Sequence, residues 1–191
     1  LWEGGAVRVE PRDVFITTPE ADETSAKVVV NYDISADSET KAVVSAAAYD
    51  DAGAEAASGT LEVRVCPWTK TRAVLELTIP APKLWDTENP NLYTLKTVIT
   101  SGGRVTDEAE NIFGIRTISA DPKNGLLLNG RPIKLRGGCI HHDHGVLGAA
   151  AFPAAEYRKL SRLKAASFNS VRTAHNPPST ALLEVCDRIG M

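Results

Sequence analysis

Two short segments in the last third of this 191-residue chain concentrate the side chains that could do chemistry. RGGCIHHDHG, residues 136–145, carries His141, His142, Asp143 and His144; NSVRTAHNPPS, residues 169–179, carries Arg172 and His175. A neutral imidazole offers one hydrogen-bond donor and one acceptor, and a guanidinium offers a rigid fork of donors suited to an anion. If the chain alternates locally, His141 and Asp143 share one side and His142 and His144 turn away, so the candidate site is His141, Asp143, Arg172 and His175. Two chemistries fit that set. Histidine and aspartate can hydrogen-bond the hydroxyls of a ligand, or His141, Asp143 and His175 can ligate zinc, nickel or iron in a barrel metallohydrolase. Against both stands a plainer reading: loop histidines bonded to backbone, Asp143 as a turn former and Arg172 in a structural ion pair.

The elements that must position these groups are legible on either side of them. Pro153 suits a first helical position, and Tyr157, Leu160 and Leu163 fall on one face of the helix that follows. Phe168 to Val171 reads as a strand. A second helix from about Ser179 carries Leu182, Cys186 and Ile189 on one stripe and stops at Gly190. Upstream, GLLLNGRPIKL is two short apolar runs around Asn129 and Gly130, a pair suited to a type I′ hairpin turn. Strand, helix, strand, helix, with a polar loop after each strand, is the opening of a parallel (β/α)₈ barrel, which builds its active site at the strands' C-terminal ends. Such a barrel takes ~250 residues, so the 73 residues after Ile118 make it incomplete.

The first 118 residues read as strands. Val28, Val30, Tyr32 and Ile34 alternate with polar residues, as do Leu61, Val63 and Val65, and Ala73, Leu75, Leu77 and Ile79. Further strands are expected at 13–18, 40–49, 92–100 and 112–118, with turns at Asn89-Pro90 and at 101–103. About seven strands at this spacing predict a sandwich. The expected fold is therefore mostly β: an immunoglobulin-like β-sandwich over residues 1–118, then over 119–191 the first βα units of an incomplete (β/α)8 TIM barrel. Trp68 and Trp85 are expected in core or interdomain packing rather than on a ligand.

A net charge of −3 and a pI near 5.8 argue against nucleic acid as a partner, and no apolar run is long enough for a membrane helix. No secretory pattern opens the chain, but a start at Leu1 reads as an excised piece, so the compartment stays open with the cytoplasm favoured. Cys66, Cys139 and Cys186 form no CxxC pair and are expected as free, mostly buried thiols. No cofactor and no structural metal are expected.

Taken together and in order, PKLW (82–85), NPNLY (89–93), FGIR (113–116), LNGRPI (128–133), RG (136–137), HHDHG (141–145), NSVRTAHNP (169–177) and CDR (186–188) resemble glycoside hydrolase family 2. The resemblance implies a multidomain retaining β-glycosidase, β-galactosidase or β-glucuronidase-like, of which this chain is an internal fragment. It implies that His141 and His175 contact the sugar, that Arg172 orients the nucleophile, and that Asp143 binds a sugar hydroxyl. Where many members have glutamate this chain has His142, and where they have tyrosine it has Asn176.

Retaining hydrolysis needs two carboxyl groups ~5 to 5.5 Å apart. Glu156, Glu184 and Asp187 fall on the predicted helices, so the acid/base and nucleophile are not expected in this chain, and the fragment is expected to be inert. The implied partner is carbohydrate, a terminal β-glycoside. Unpaired barrel-strand edges further predict that 119–191 packs on the sandwich or on another chain, which allows a homo-oligomer. A sandwich acting only as a scaffold is the remaining alternative.

Overall fold

The computed structural model describes residues 4–191; Leu1, Trp2 and Glu3, at the start of the expected sandwich, lie outside the described residues. Two compact units result, one from the chain up to Lys83 with Leu92–Thr117, the other from Leu84–Asn91 with Ile118–Met191.

The first unit holds seven strands: β1 (Val7–Ala21), β2 (Ser25–Ala36), β3 (Thr40–Tyr49), β4 (Glu55–Val65), β5 (Thr71–Pro80), β6 (Tyr93–Ser101) and β7 (Arg104–Phe113). They form two antiparallel sheets, ordered β1-β2-β5 and β4-β3-β6-β7, which is the immunoglobulin-like sandwich. Period-two alternation explains the core. Val28, Val30, Tyr32 and Ile34 of β2 are fully buried beside Leu75, Leu77 and Ile79 of β5, while Leu95 and Ile99 of β6 lie next to Ala48 and Val44 of β3. Each large apolar side chain so buried contributes roughly 1.5 to 3 kcal/mol before conformational entropy is counted. Pairing of β1 with β2 shifts register between Val9 and Val14, a stretch that contains Pro11, which has no N–H to give to a ladder.

A hydroxyl pair crosses this core. The Tyr32 hydroxyl on β2 and the Thr97 hydroxyl on β6 meet at 3.0 Å, both residues fully buried, and burial pushes the Tyr32 phenol above its ordinary pKa.

Two expectations fail in this unit. The last strand spans Arg104–Phe113 rather than 112–118: β7 is an edge strand whose outer face is polar, which masks its period, and the apolar run after it leaves the ladder at Gly114. Trp68 is 97% exposed with φ +67, in the turn between β4 and β5, and so takes no part in the core of this unit.

The second unit opens with a meander of β8 (Ile118–Asp121), β9 (Gly125–Leu128) and β10 (Arg131–Pro132). Its tight turn has Asn129 at φ +51 and Gly130 at φ +72, the left-handed pair that a type I′ turn demands. Then come β11 (Gly137–Ile140), α1 (Pro153–Ala165), β12 (Ser170–Thr173) and α2 (Thr180–Ile189), with β11 and β12 parallel. The second strand starts two residues later than Phe168, because Asn169 is spent on a backbone bridge described below. Leu160, Leu182, Val185 and Cys186 form the core under the helices, with Ile140, Val171, Leu163, Ile189 and Met191 packed against it.

Leu84–Asn91 belongs to this core through Trp85, which is 4% exposed. Its indole N–H donates to the Asp187 carbonyl at 2.7 Å, satisfying a backbone acceptor in the last turn of α2 that has no helical partner. The Asn129 amide donates to the Trp85 carbonyl at 3.0 Å, and the Lys164 ammonium donates to the carbonyls of Thr87 and Gly190.

Tyr32→Phe strands the Thr97 hydroxyl in an apolar core and is expected to destabilise the chain by about 1 to 2 kcal/mol in denaturant unfolding. Adding Thr97→Val is expected to recover part of that loss; strictly additive losses would show that the two hydroxyls are not coupled.

Candidate functional site

The site begins with the register of one parallel pair. Gly138 lies opposite Val171, Cys139 opposite Arg172 and Ile140 opposite Thr173. Since side chains alternate, Ile140 and Val171 turn into the helix-covered core, whereas Cys139 and Arg172 share the other face and are exposed. His141 continues the alternation on the Cys139 side.

Two residues hold this register. A Cβ on Gly137 would overlap the Ser170 carbonyl oxygen, so the strands approach as closely as they do only with glycine there. Asn169, buried, accepts from the Arg136 N–H at 2.7 Å and donates to the Lys134 carbonyl at 3.0 Å, and its own N–H donates to the Arg136 carbonyl. Its side chain therefore extends the pairing past the end of the ladder.

At the other end of the strands, the Ala174 N–H donates to the Ile140 carbonyl at 2.9 Å, and Ala174 is buried. The next residue, His175, takes φ +55 and is followed by Asn176, Pro177 and Pro178. This turn brings the His175 ring back over Arg172, whose Nη2 lies 3.1 Å from Nδ1 and whose Nη1 donates to the Cys139 Sγ at 3.4 Å. A guanidinium can only donate, so Nδ1 is the acceptor and the ring proton sits on Nε2. The outward nitrogen of His175 is thereby a donor.

His141 and Asp143 sit in the loop after β11, both exposed. The His141 carbonyl accepts from the Asp143 N–H at 2.8 Å and from the Lys159 ammonium at 3.4 Å. Asp143 Oδ1 accepts from the Gly145 N–H at 3.2 Å, which makes it a turn former and leaves Oδ2 outside that turn. Among the described residues no three of His, Cys, Asp and Glu converge closely enough to hold a metal ion. His141, Asp143 and His175 do not converge as a ligand set, and the family 2 resemblance rather than a metallohydrolase accounts for the two loops.

Three further expectations change. Tyr157 is exposed, and the inward position on α1 belongs to Glu156, four residues before Leu160 and seven before Leu163. His144 does turn from Asp143, but into the protein, where its Nε2 lies 3.4 Å from Glu156 Oε1. Extending the Leu163–Leu160 stripe back by one turn would have pointed to residue 156. Finally, Cys66 and Cys139 are exposed and Cys186 alone is buried; all three are free. Burial pushes the Cys186 thiol up to about 11, with the neighbouring Asp187 and Glu156 charges acting in the same direction.

A sandwich joined in sequence to the first two strand–helix units of a parallel barrel, with polar groups gathered beyond the strand ends, is the architecture of a barrel enzyme's opening segment. Comparison with known families identifies which one. Glycosyl hydrolases family 2 matches residues 7–116, and the family 2 TIM barrel domain matches 121–191; the chain belongs to glycosyl hydrolase family 2. Over its whole length it is 35% identical to beta-galactosidase BoGH2A of Bacteroides ovatus, of which it spans 23%. It is 30% identical over 118 residues to a beta-glucuronidase of Bacteroides fragilis, covering 61% of this chain and 17% of that protein. The crystal structure of a glycosyl hydrolase family 2 member from Bacteroides cellulosilyticus superposes with a TM-score of 0.92 at 40% identity, over 97% of this chain and 24% of that one. A Bacteroides uniformis beta-glucuronidase 2, covalently bound to cyclophellitol-6-carboxylate aziridine, gives a TM-score of 0.87 at 25% identity, over 98% and 24%. The chain thus spans about a quarter or less of each of these four relatives. No helix among the described residues is long and apolar enough to cross a membrane.

Thiol titration reads this geometry. With iodoacetamide at mildly alkaline pH, Cys66 and Cys139 are expected to react in the native chain and Cys186 only after denaturant is added. Equal reactivity of all three thiols would contradict the burial of Cys186.

Proposed function

We propose that this chain supplies one wall of the sugar-binding cleft of a retaining β-glycosidase acting on terminal β-glycosides, β-galactosides foremost. The observation that carries the reading is the Arg172 guanidinium lodged between Cys139 and His175 on the strand face that the helices leave open. In this reading residues 1–118 are the supporting sandwich and 119–191 the start of the catalytic barrel. His175 offers its Nε2–H to a sugar hydroxyl, His141 and Asp143 bind others from the adjoining loop, and the remaining donors of Arg172 orient an anionic nucleophile. The β-galactosidase and β-glucuronidase relatives support the substrate class.

The carboxyls of the second unit do not provide the pair that retention requires. Glu156 is buried beneath the loops, Asp86, Asp121 and Asp143 are turn formers, Glu88 lies within the Asp86 turn, and Glu184 and Asp187 lie on α2. The chain by itself is therefore proposed to bind sugar and not to cleave it. The three free thiols favour a reducing compartment, the cytoplasm foremost.

Titration of the intact chain with a non-hydrolysable aryl β-thiogalactoside, followed through the histidine ring signals, is expected to move His141 and His175 saturably, with no release of aryl group from the oxygen glycoside. A protein of the relatives' length that carries this segment is expected to lose on the order of 100-fold in kcat/KM with His141→Ala or His175→Ala. Unchanged turnover in both variants would remove their role, and a preference for the β-glucuronide in the same assay would replace galactose as the sugar.

A further inference from the structure

Glu156 is a fully buried carboxylate that the proposed sugar contacts do not use. It has three partners from three places. Its Oε1 lies 3.4 Å from His144 Nε2 in the loop after β11, and accepts from the Ser179 hydroxyl at 3.3 Å. Its Oε2 lies 2.9 Å from the Lys159 ammonium, which also donates to the His141 carbonyl at 3.4 Å. Ser179, in turn, ends the His175 turn and caps α2, its hydroxyl accepting from the Leu182 N–H at 3.1 Å.

Stability alone does not call for a charge here. The position continues the Leu160–Leu163 stripe, and a well-packed apolar side chain serves such a site as well as or better than a buried ion cluster. What an apolar residue cannot do is share one oxygen between two loops.

We propose that Glu156 is a positioning residue: its carboxylate fastens the loop carrying His141 and Asp143 and the loop carrying His175 to a common point, and so couples their placement. The inference takes its functional meaning from the sugar-binding reading of those loops, but the coupling itself is a property of the chain without sugar. Because both contacts are made at Oε1, loosening one loop frees the carboxylate to shift and weakens the other, and the effect is reciprocal.

The test uses the intact chain, whose four histidines give four ring signals assignable by single substitution. His144→Ala is expected to lower amide-exchange protection at Leu182 roughly fivefold through the weakened cap. Ser179→Ala is expected to shift the His144 ring signal. Glu156→Gln is expected to loosen both loops while the amides of Ile140 and Val171 keep their protection. A merely structural role would lower protection evenly across β11, β12 and both helices and would overturn the proposal, as would His144→Ala and Ser179→Ala each disturbing only its own loop. Should Glu156→Gln fail to fold, the two loop variants, which leave the carboxylate in place, decide the matter. Titrating the same samples with the aryl β-thiogalactoside separates the two ideas: reciprocal coupling with no sugar response upholds Glu156 and overturns the sugar reading, and a sugar response without coupling does the reverse.

Discussion

The parallel pairing of β11 with β12 is the constraint on which the site depends. Gly137 permits the close approach, Asn169 extends the pairing beyond the ladder, and the resulting register sets Arg172 opposite Cys139. A slip of one residue would send Arg172 into the core occupied by Val171 and put an apolar side chain on the open face. The His175 contact follows from the same register, since the Ala174 N–H is bonded to the Ile140 carbonyl and the chain turns immediately afterwards. The positive φ at His175 is an uncommon conformation for a side-chain-bearing residue, held here by the buried Ala174 before it and the Asn-Pro-Pro run after it.

Each unit has its own means of cohesion. The sandwich relies on two alternating apolar faces, with the Tyr32–Thr97 hydroxyl pair buried between them. The second unit has a smaller core and more polar fastening: Trp85 and Lys164 tie Leu84–Asn91 to α2 and its end, and Glu156 ties α1 to the loops.

Much of this was legible in the residues because local chemistry and tertiary environment agree. Strand β3 spans the stretch expected for it, since its alternation is strict and both its neighbours are strands. The Asn129–Gly130 turn, the proline-initiated α1 and the Ser179-to-Gly190 frame of α2 follow from backbone rules that need no tertiary knowledge. The errors occur where a partner distant in sequence decides. The polar β7 is a strand because β6 pairs with it; Glu156 is buried because His144, Ser179 and Lys159 receive it. At the candidate site, the motifs pointed to the two loops that follow β11 and β12, but the Arg172–His175 contact depends on a turn geometry that spacing alone does not encode.

The tautomer of His175 reports most directly on this geometry, and long-range ¹⁵N–¹H correlation spectra of the histidines at a pH where imidazole is neutral measure it. The geometry predicts an unprotonated Nδ1 and a protonated Nε2 in the chain as it is, with the two forms mixing once Arg172 is replaced by alanine. A protonated Nδ1, or a tautomer indifferent to Arg172→Ala, would contradict the placement of the two side chains and, with it, the site built on them.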